Sequence, residues 1–246
     1  MNRSLRSFVF IGSQKLALNC LKTVKNNLIK YIRYNIYLVV LIGFSNSYSG
    51  SYEDFFRAVQ TDNAQTVKDL LERGFDGNVA DPSGQPAIIL AIKAPAPKVL
   101  VQLLDWSKTD VEARNRVDES ALMLAALAGQ LELVKKLVDK GADVNKPGWA
   151  PLHYAATRGH LEVMDYLLEN HAYIDASSPN ESTPLMMAAL YGTPSAVKLL
   201  LEAGADPNIK NALGLTAIDF ALRDNRKEAA DIIAAFIRGQ GGKAKW

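Results

Sequence analysis

Three histidines, His153, His160 and His171, crowd into one stretch of this 246-residue chain. Imidazoles can shuttle protons near neutral pH or ligate a metal ion, and a metal needs its ligands to converge on one point. The surrounding residues 147–176 read PGWAPLHYAATRGHLEVMDYLLENHAYIDA. Pro151, Leu152, Ala155 and Ala156 form one short helical pattern, and Leu161, Val163, Met164, Leu167 and Leu168 form a second after Gly159. His153 therefore belongs to the first helix, His160 to the turn and His171 to the exit of the second. Ligands at different ends of two helices do not converge, so no metal is expected. Asp143, Asp175 and Asp206 recur one per repeat, which points to turn chemistry and away from a paired acid and base. The chain carries no G-x-S-x-G, no H-E-x-x-H and no Gly-rich loop before a lysine. The only cysteine, Cys20, lies outside the repeated region. These absences predict a non-catalytic protein with no cofactor and no small-molecule substrate.

Two helices this short do not bury their apolar faces on each other alone. Neighbours are supplied by recurrence. Ala58, Ala91, Ala125, Ala155, Ala188 and Ala221 stand at intervals of 30 to 34 residues, each in the middle of a first helical pattern. The second patterns end in step, at Leu70–Leu71, Leu103–Leu104, Leu137–Val138, Leu167–Leu168 and Leu200–Leu201. Stacked units of this kind each cover what the next exposes. Ser120, Thr183 and Thr216 stand where a hydroxyl can take an unpaired N–H at a helix start.

The segments APLHYAATRGH (150–160), TPLMMAALYG (183–192) and TAIDFAL (216–222), with LVDKGAD (137–143) and LLEAGADPN (200–208), resemble the ankyrin-repeat motifs T-P-L-H-x-A-A-x-x-G-H and L-L-x-x-G-A-D-x-N. The resemblance covers residues 52–238. It implies an all-α solenoid of helix-turn-helix units with short β-turn fingers, and a hydrogen-bonding role for His153 beside its turn. The expected divisions are a basic leader at 1–50, a capping unit at 51–80, repeats at 81–113, 114–146, 147–177 and 178–210, a C-terminal cap at 211–239 and a flexible tail at 240–246. The second unit departs from the pattern with Pro95, Pro97 and an extra residue near Trp106. The fourth is three residues short and has His171 where glycine is expected.

In that family partners usually bind the concave face of first helices and turn tips. Carried over by position, the candidate protein-binding residues are Trp149, Tyr154, Arg158, Met187, Leu190 and Tyr191, with Arg114, Arg116 and Lys146 as a basic rim. Leu90, Lys93, Leu124, Leu127, Thr157 and Asn180 belong to the same face. Leu124, Leu127, Met187 and Leu190 also fit as filling between adjacent helices, and Trp149 also fits as a plug for the shortened turn.

Residues 1–50 differ in kind. They hold seven Lys/Arg and no acidic residue, leaving 21 basic against 26 acidic residues in the remainder. An acidic body argues against a nucleic-acid partner. The apolar run YNIYLVVLIGF (34–44) followed by SNSYSGS (45–51) has the parts of a bacterial secretory signal, with cleavage expected after Ser47 or Ser49. The basic stretch ahead of it is long for a signal, which suggests a start at Leu28. The expectation is therefore a periplasmic or secreted scaffold that binds a protein partner. The alternative is a leader kept as an inner-membrane anchor, making the protein a tethered adaptor or the regulatory subunit of an enzyme complex.

Overall fold

The computed structural model describes residues 50–243. The chain divides into two units, Met1–Asp54 and Phe55–Trp246, and the architecture below is that of the second. The leader features, including the run at 34–44 and Cys20, lie outside the described residues.

First helices and second helices alternate along the chain. The first helices are α1 (50–60), α3 (Ala87–Lys93), α5 (Ala121–Leu127), α7 (Pro151–Arg158), α9 (Pro184–Leu190) and α11 (Ala217–Arg223). The second helices are α2 (Ala64–Glu72), α4 (Pro97–Asp105), α6 (Leu131–Asp139), α8 (Leu161–Glu169), α10 (Pro194–Glu202) and α12 (Lys227–Lys243). From α3 to α11 each first helix packs on the next, and each pairs with the second helix that follows it. The chain is thus the expected all-α solenoid. Two isolated antiparallel bridges, Ala80 with Pro86 and Arg114 with Ser120, close fingers between units.

Composition explains the layering. The first helices are short and alanine-rich and sit between neighbours; all of α5 but Leu127 is buried. The second helices bury one stripe each, such as Val163, Met164 and Leu167 in α8. Fully burying side chains of this size contributes about 1.5–3 kcal/mol each. Pro97, Pro151, Pro184 and Pro194 open their helices where the missing N–H costs nothing. Helix α12 runs on to Lys243 through Gly239, past the boundary drawn for a flexible tail at 240.

The helix starts are closed from within. Ser120 and Thr183 accept from the N–H of Met123 and Met186 at 3.3 and 3.4 Å. Thr216 behaves differently: its hydroxyl and its N–H both donate to the Asp219 carboxylate, at 2.7 and 2.8 Å. A carboxylate only accepts, so it reverses the expected role of the threonine.

Candidate protein-binding surface

The three histidines are spent on structure. His153 is fully buried. Its Nδ1 accepts the Ala150 N–H at 3.1 Å, which leaves Nε2–H to donate to the Ser182 carbonyl at 2.9 Å, across to the next unit. Burial pushes its pKa below the ordinary histidine value, against backbone bonds that act the other way. His160 Nε2 lies 3.0 Å from the Leu127 carbonyl of the unit before. Its ring rests on Gly129, where an added Cβ would come within 2.6 Å of it. His171 takes the left-handed conformation, φ 65°, in the place expected for glycine.

The carboxylates are turn residues, with one exception. Asp143 and Asp206 each accept from the N–H two residues on, Asn145 at 2.8 Å and Asn208 at 2.9 Å. Asp175 stands two residues later in the phase, because Tyr173 takes the place of Asp143 and Asp206. It is a clamp between exit turns. Asn78, Glu112 and Asn145 hold the same position. Asn78 bonds the Asp110 N–H and the Lys108 carbonyl, both at 2.8 Å. Asn145 bonds the Tyr173 N–H at 2.7 Å and the His171 carbonyl at 2.8 Å. Glu112 and Asp175 only accept, from the N–H of Asp143 at 2.8 Å and of Asp206 at 3.2 Å. Burial raises the Asp175 pKa, helped by the Asp206 charge and opposed by the Asp206 N–H. These clamps escaped the sequence reading, although Asn78 and Asn145 repeat in phase and signalled them.

The proposed face divides into covered and open residues. Met187 and Leu124 are buried, so of the two readings of these side chains the packing one describes them. Leu90, Leu127, Leu190 and Thr157 are half-buried. Tyr154 is half-buried, and burial, with Glu119 and Asp118 nearby, pushes its phenol up to about 12. Trp149 is half-buried with its ring edge-on to His153, centroids 5.3 Å apart. Arg158 and Tyr191 are exposed, the latter by 58%. They occupy equivalent positions in consecutive units and stand side by side in the stack.

The basic rim is tied up within the fingers. Arg114 pairs with Glu112 at 3.1 Å and with Asp118 at 3.4 Å. Lys146 is buried and bonds Asp118 and the Pro147 carbonyl. Together these cations hold the Asp118 carboxyl below its usual range, Lys146 most strongly. Arg116 donates to the Pro82 carbonyl at 3.0 Å, and Lys93 pairs with Glu119 at 3.2 Å. Arg114 and Lys146 of the rim expected to be positive are thus paired with carboxylates, while exposed Arg116 keeps its charge. Asn180 sits exposed at a finger tip, where its carbonyl accepts from Ala212 at 3.1 Å. Two residues missed from the sequence are Val117 and Leu213, 72% and 74% exposed at finger tips. An apolar side chain at the tip position was their signal.

Profiles described as ankyrin repeats (three copies) match residues 55–147 and 96–178, and a second, ankyrin repeats (many copies), matches 167–221. This chain belongs to the ankyrin-repeat family. It is 33% identical to the B-cell lymphoma 3 protein homolog of Mus musculus over 76% of this chain and 42% of that protein. It is 31% identical to the nuclear factor NF-kappa-B p105 subunit of Gallus gallus over 68% of this chain and 18% of that one. A putative ankyrin repeat protein of Rickettsia felis is 33% identical over 36% of this chain and 43% of its own. The chain spans less than half the length of these curated relatives. Among solved structures, a chain from the complex of a predatory endopeptidase of Bdellovibrio bacteriovorus with an immunity protein superposes with a TM-score of 0.64. It is 24% identical over 74% of this chain and 97% of that one. Ankyrin repeats are generally non-catalytic and mediate protein interactions, so the repeats supply an interaction scaffold.

Proposed function

We propose that this ankyrin-repeat protein is exported and binds a protein partner through its first helices and finger tips. The observation that carries this reading is the patch of Trp149, Tyr154, Leu190 and Tyr191 beside Arg158, apolar and aromatic with one flanking cation. Tyrosine, tryptophan and arginine are the side chains that anchor protein interfaces. With Arg114 and Lys146 paired internally, the partner presents an apolar or aromatic segment, with an acidic group facing Arg158. Val117 and Leu213 extend the contact along the tips.

The leader supports export to a bacterial periplasm or beyond, with cleavage after Ser47 or Ser49. An intact mass beginning at Tyr48 or Gly50 tests this; full-length chain in the membrane fraction favours the tethered adaptor. A second reading, a regulator that occupies an enzyme, is motivated by the structural neighbour, a chain from the complex of an endopeptidase with an immunity protein. Capture from the native compartment by wild type and by Trp149→Ala/Tyr191→Ala tests the binding face. Loss of capture by a double variant with unchanged helical circular dichroism is expected. Full capture by that folded variant overturns the site.

A further inference from the structure

The seams between units are not fastened alike. Gln130, His160, Thr193 and Arg226 hold equivalent positions at the start of the second helices. His160 bonds back to the Leu127 carbonyl. Thr193 packs on Gly159. Arg226 bonds the Gly192 and Leu190 carbonyls, the latter at 3.5 Å. At the first seam Asp62 does the same task in the other direction, accepting from the N–H of Lys98 and of Val99, both at 2.9 Å. Gln130 is exposed, and among the described residues its side chain makes no hydrogen bond to the second unit. The cause is Pro95. It stands where the third and fourth units have Gly129 and Gly159, and those glycines leave the space into which His160 and Thr193 of the next unit reach.

The remaining fastenings of that seam are weak as well. At the exit turns the carboxylate of Glu112 accepts one N–H and has no donor for the neighbouring carbonyl, unlike Asn78 and Asn145. At the fingers the seam is held by exposed Arg116 on the Pro82 carbonyl and by the Lys93–Glu119 pair, whose lysine side chain is 41% and glutamate side chain 20% exposed. Solvated pairs of this kind contribute little. Helix α3 also packs less extensively on α5 than α5 does on α7 or α7 on α9. By contrast the first two units are joined by both bonds of Asn78 and both bonds of Asp62.

We infer that the stack opens at the seam between its second and third units, so that residues 55–110 unfold and refold as one cooperative unit while the units that follow stay folded. The opening lies outside the binding patch and does not depend on it. It lets the first two units adjust to whatever occupies the later ones. In nearest-neighbour stacks the weakest interface sets where opening starts.

Hydrogen exchange read by mass spectrometry on the full chain tests this. Amides of α2, α3 and α4 are expected to exchange together, about tenfold or more faster than those of α7 and α9. Glu119→Gln removes the ion pair but keeps an acceptor for Asn115. It should speed exchange in α3 and α4 by no more than about fivefold and leave α9 and α10 unchanged. Pro95→Gly with Gln130→His restores the pattern of the third seam and should narrow the gap. Equal protection of α3 and α7, or fast exchange confined to α2 with α3 and α4 protected, would overturn the inference.

Discussion

Replacing Asp175 by asparagine changes one atom in a clamp that two other seams already build with asparagine. In the wild type the Asp175 carboxylate accepts the Asp206 N–H at 3.2 Å through both oxygens and leaves the carbonyl two residues earlier, that of Gly204, without the bond its counterparts receive. Those counterparts, Lys108 and His171, each accept an asparagine N–H at 2.8 Å. The variant supplies that donor, and an added hydrogen bond contributes about 1 kcal/mol net. It also removes a carboxylate whose charged form burial disfavours and which faces Asp206. For a chain of this size the gain corresponds to roughly 2–4 °C in Tm. The pH dependence has a definite sign. Because the folded-state pKa is raised above 3.8, the wild type keeps its full stability below the unfolded value and loses some as pH rises through the folded one. Asparagine does not titrate, so the advantage of Asp175→Asn is larger at pH 7 than near pH 3. Thermal melts by circular dichroism at the two pH values measure it. A lower Tm at pH 7, or a gain that does not shrink in acid, refutes the clamp reasoning.

Three further outcomes follow from the same geometry. His153→Ala leaves the Ala150 N–H and the Ser182 carbonyl unpaired in a dry site, and urea titration should show a loss of about 3 kcal/mol or more. Because burial keeps His153 neutral, the unfolded chain protonates first; stability is intact above about pH 6.5 and falls as pH drops below it, and urea midpoints at pH 7.5 and pH 5 should lose part of that difference in His153→Met. His171→Gly releases the left-handed strain at φ 65° and should stabilise by about 0.5–1 kcal/mol, seen as a later urea midpoint with unchanged slope.

Most of the fold was legible because the repeat is a phase, and phase survives in one dimension. The alanines at the centres of the first helices and the apolar pairs that end the second helices mark the helices in the sequence itself. What was hidden is whatever depends on lateral distance between units. Lys146 and Asp118 are 28 residues apart and meet across neighbouring units, so a rim residue became a buried ion-pair partner. Met187 and Tyr154 share a position in the repeat, yet one is covered and the other half-open, because burial depends on the bulk of neighbours on either side. Asp175 looked like a third copy of Asp143 because it lies 32 residues after Asp143 and 31 before Asp206, near the regular period, although Tyr173 holds that position in the shortened unit. Thr216 could not be read as a donor without the carboxylate of Asp219 beside it.

The central claim is that a partner covers the first-helix and finger face. Hydroxyl-radical footprinting of the full chain with its captured partner tests it most directly, since Tyr191 and Tyr173 are similarly exposed, 58% and 67%, and belong to different parts of the unit. Tyr191, Trp149 and Tyr154 are expected to become protected while Tyr173 and Leu161 stay as reactive as in the free protein. Protection of Tyr173 and Leu161 with Tyr191 unchanged would contradict it.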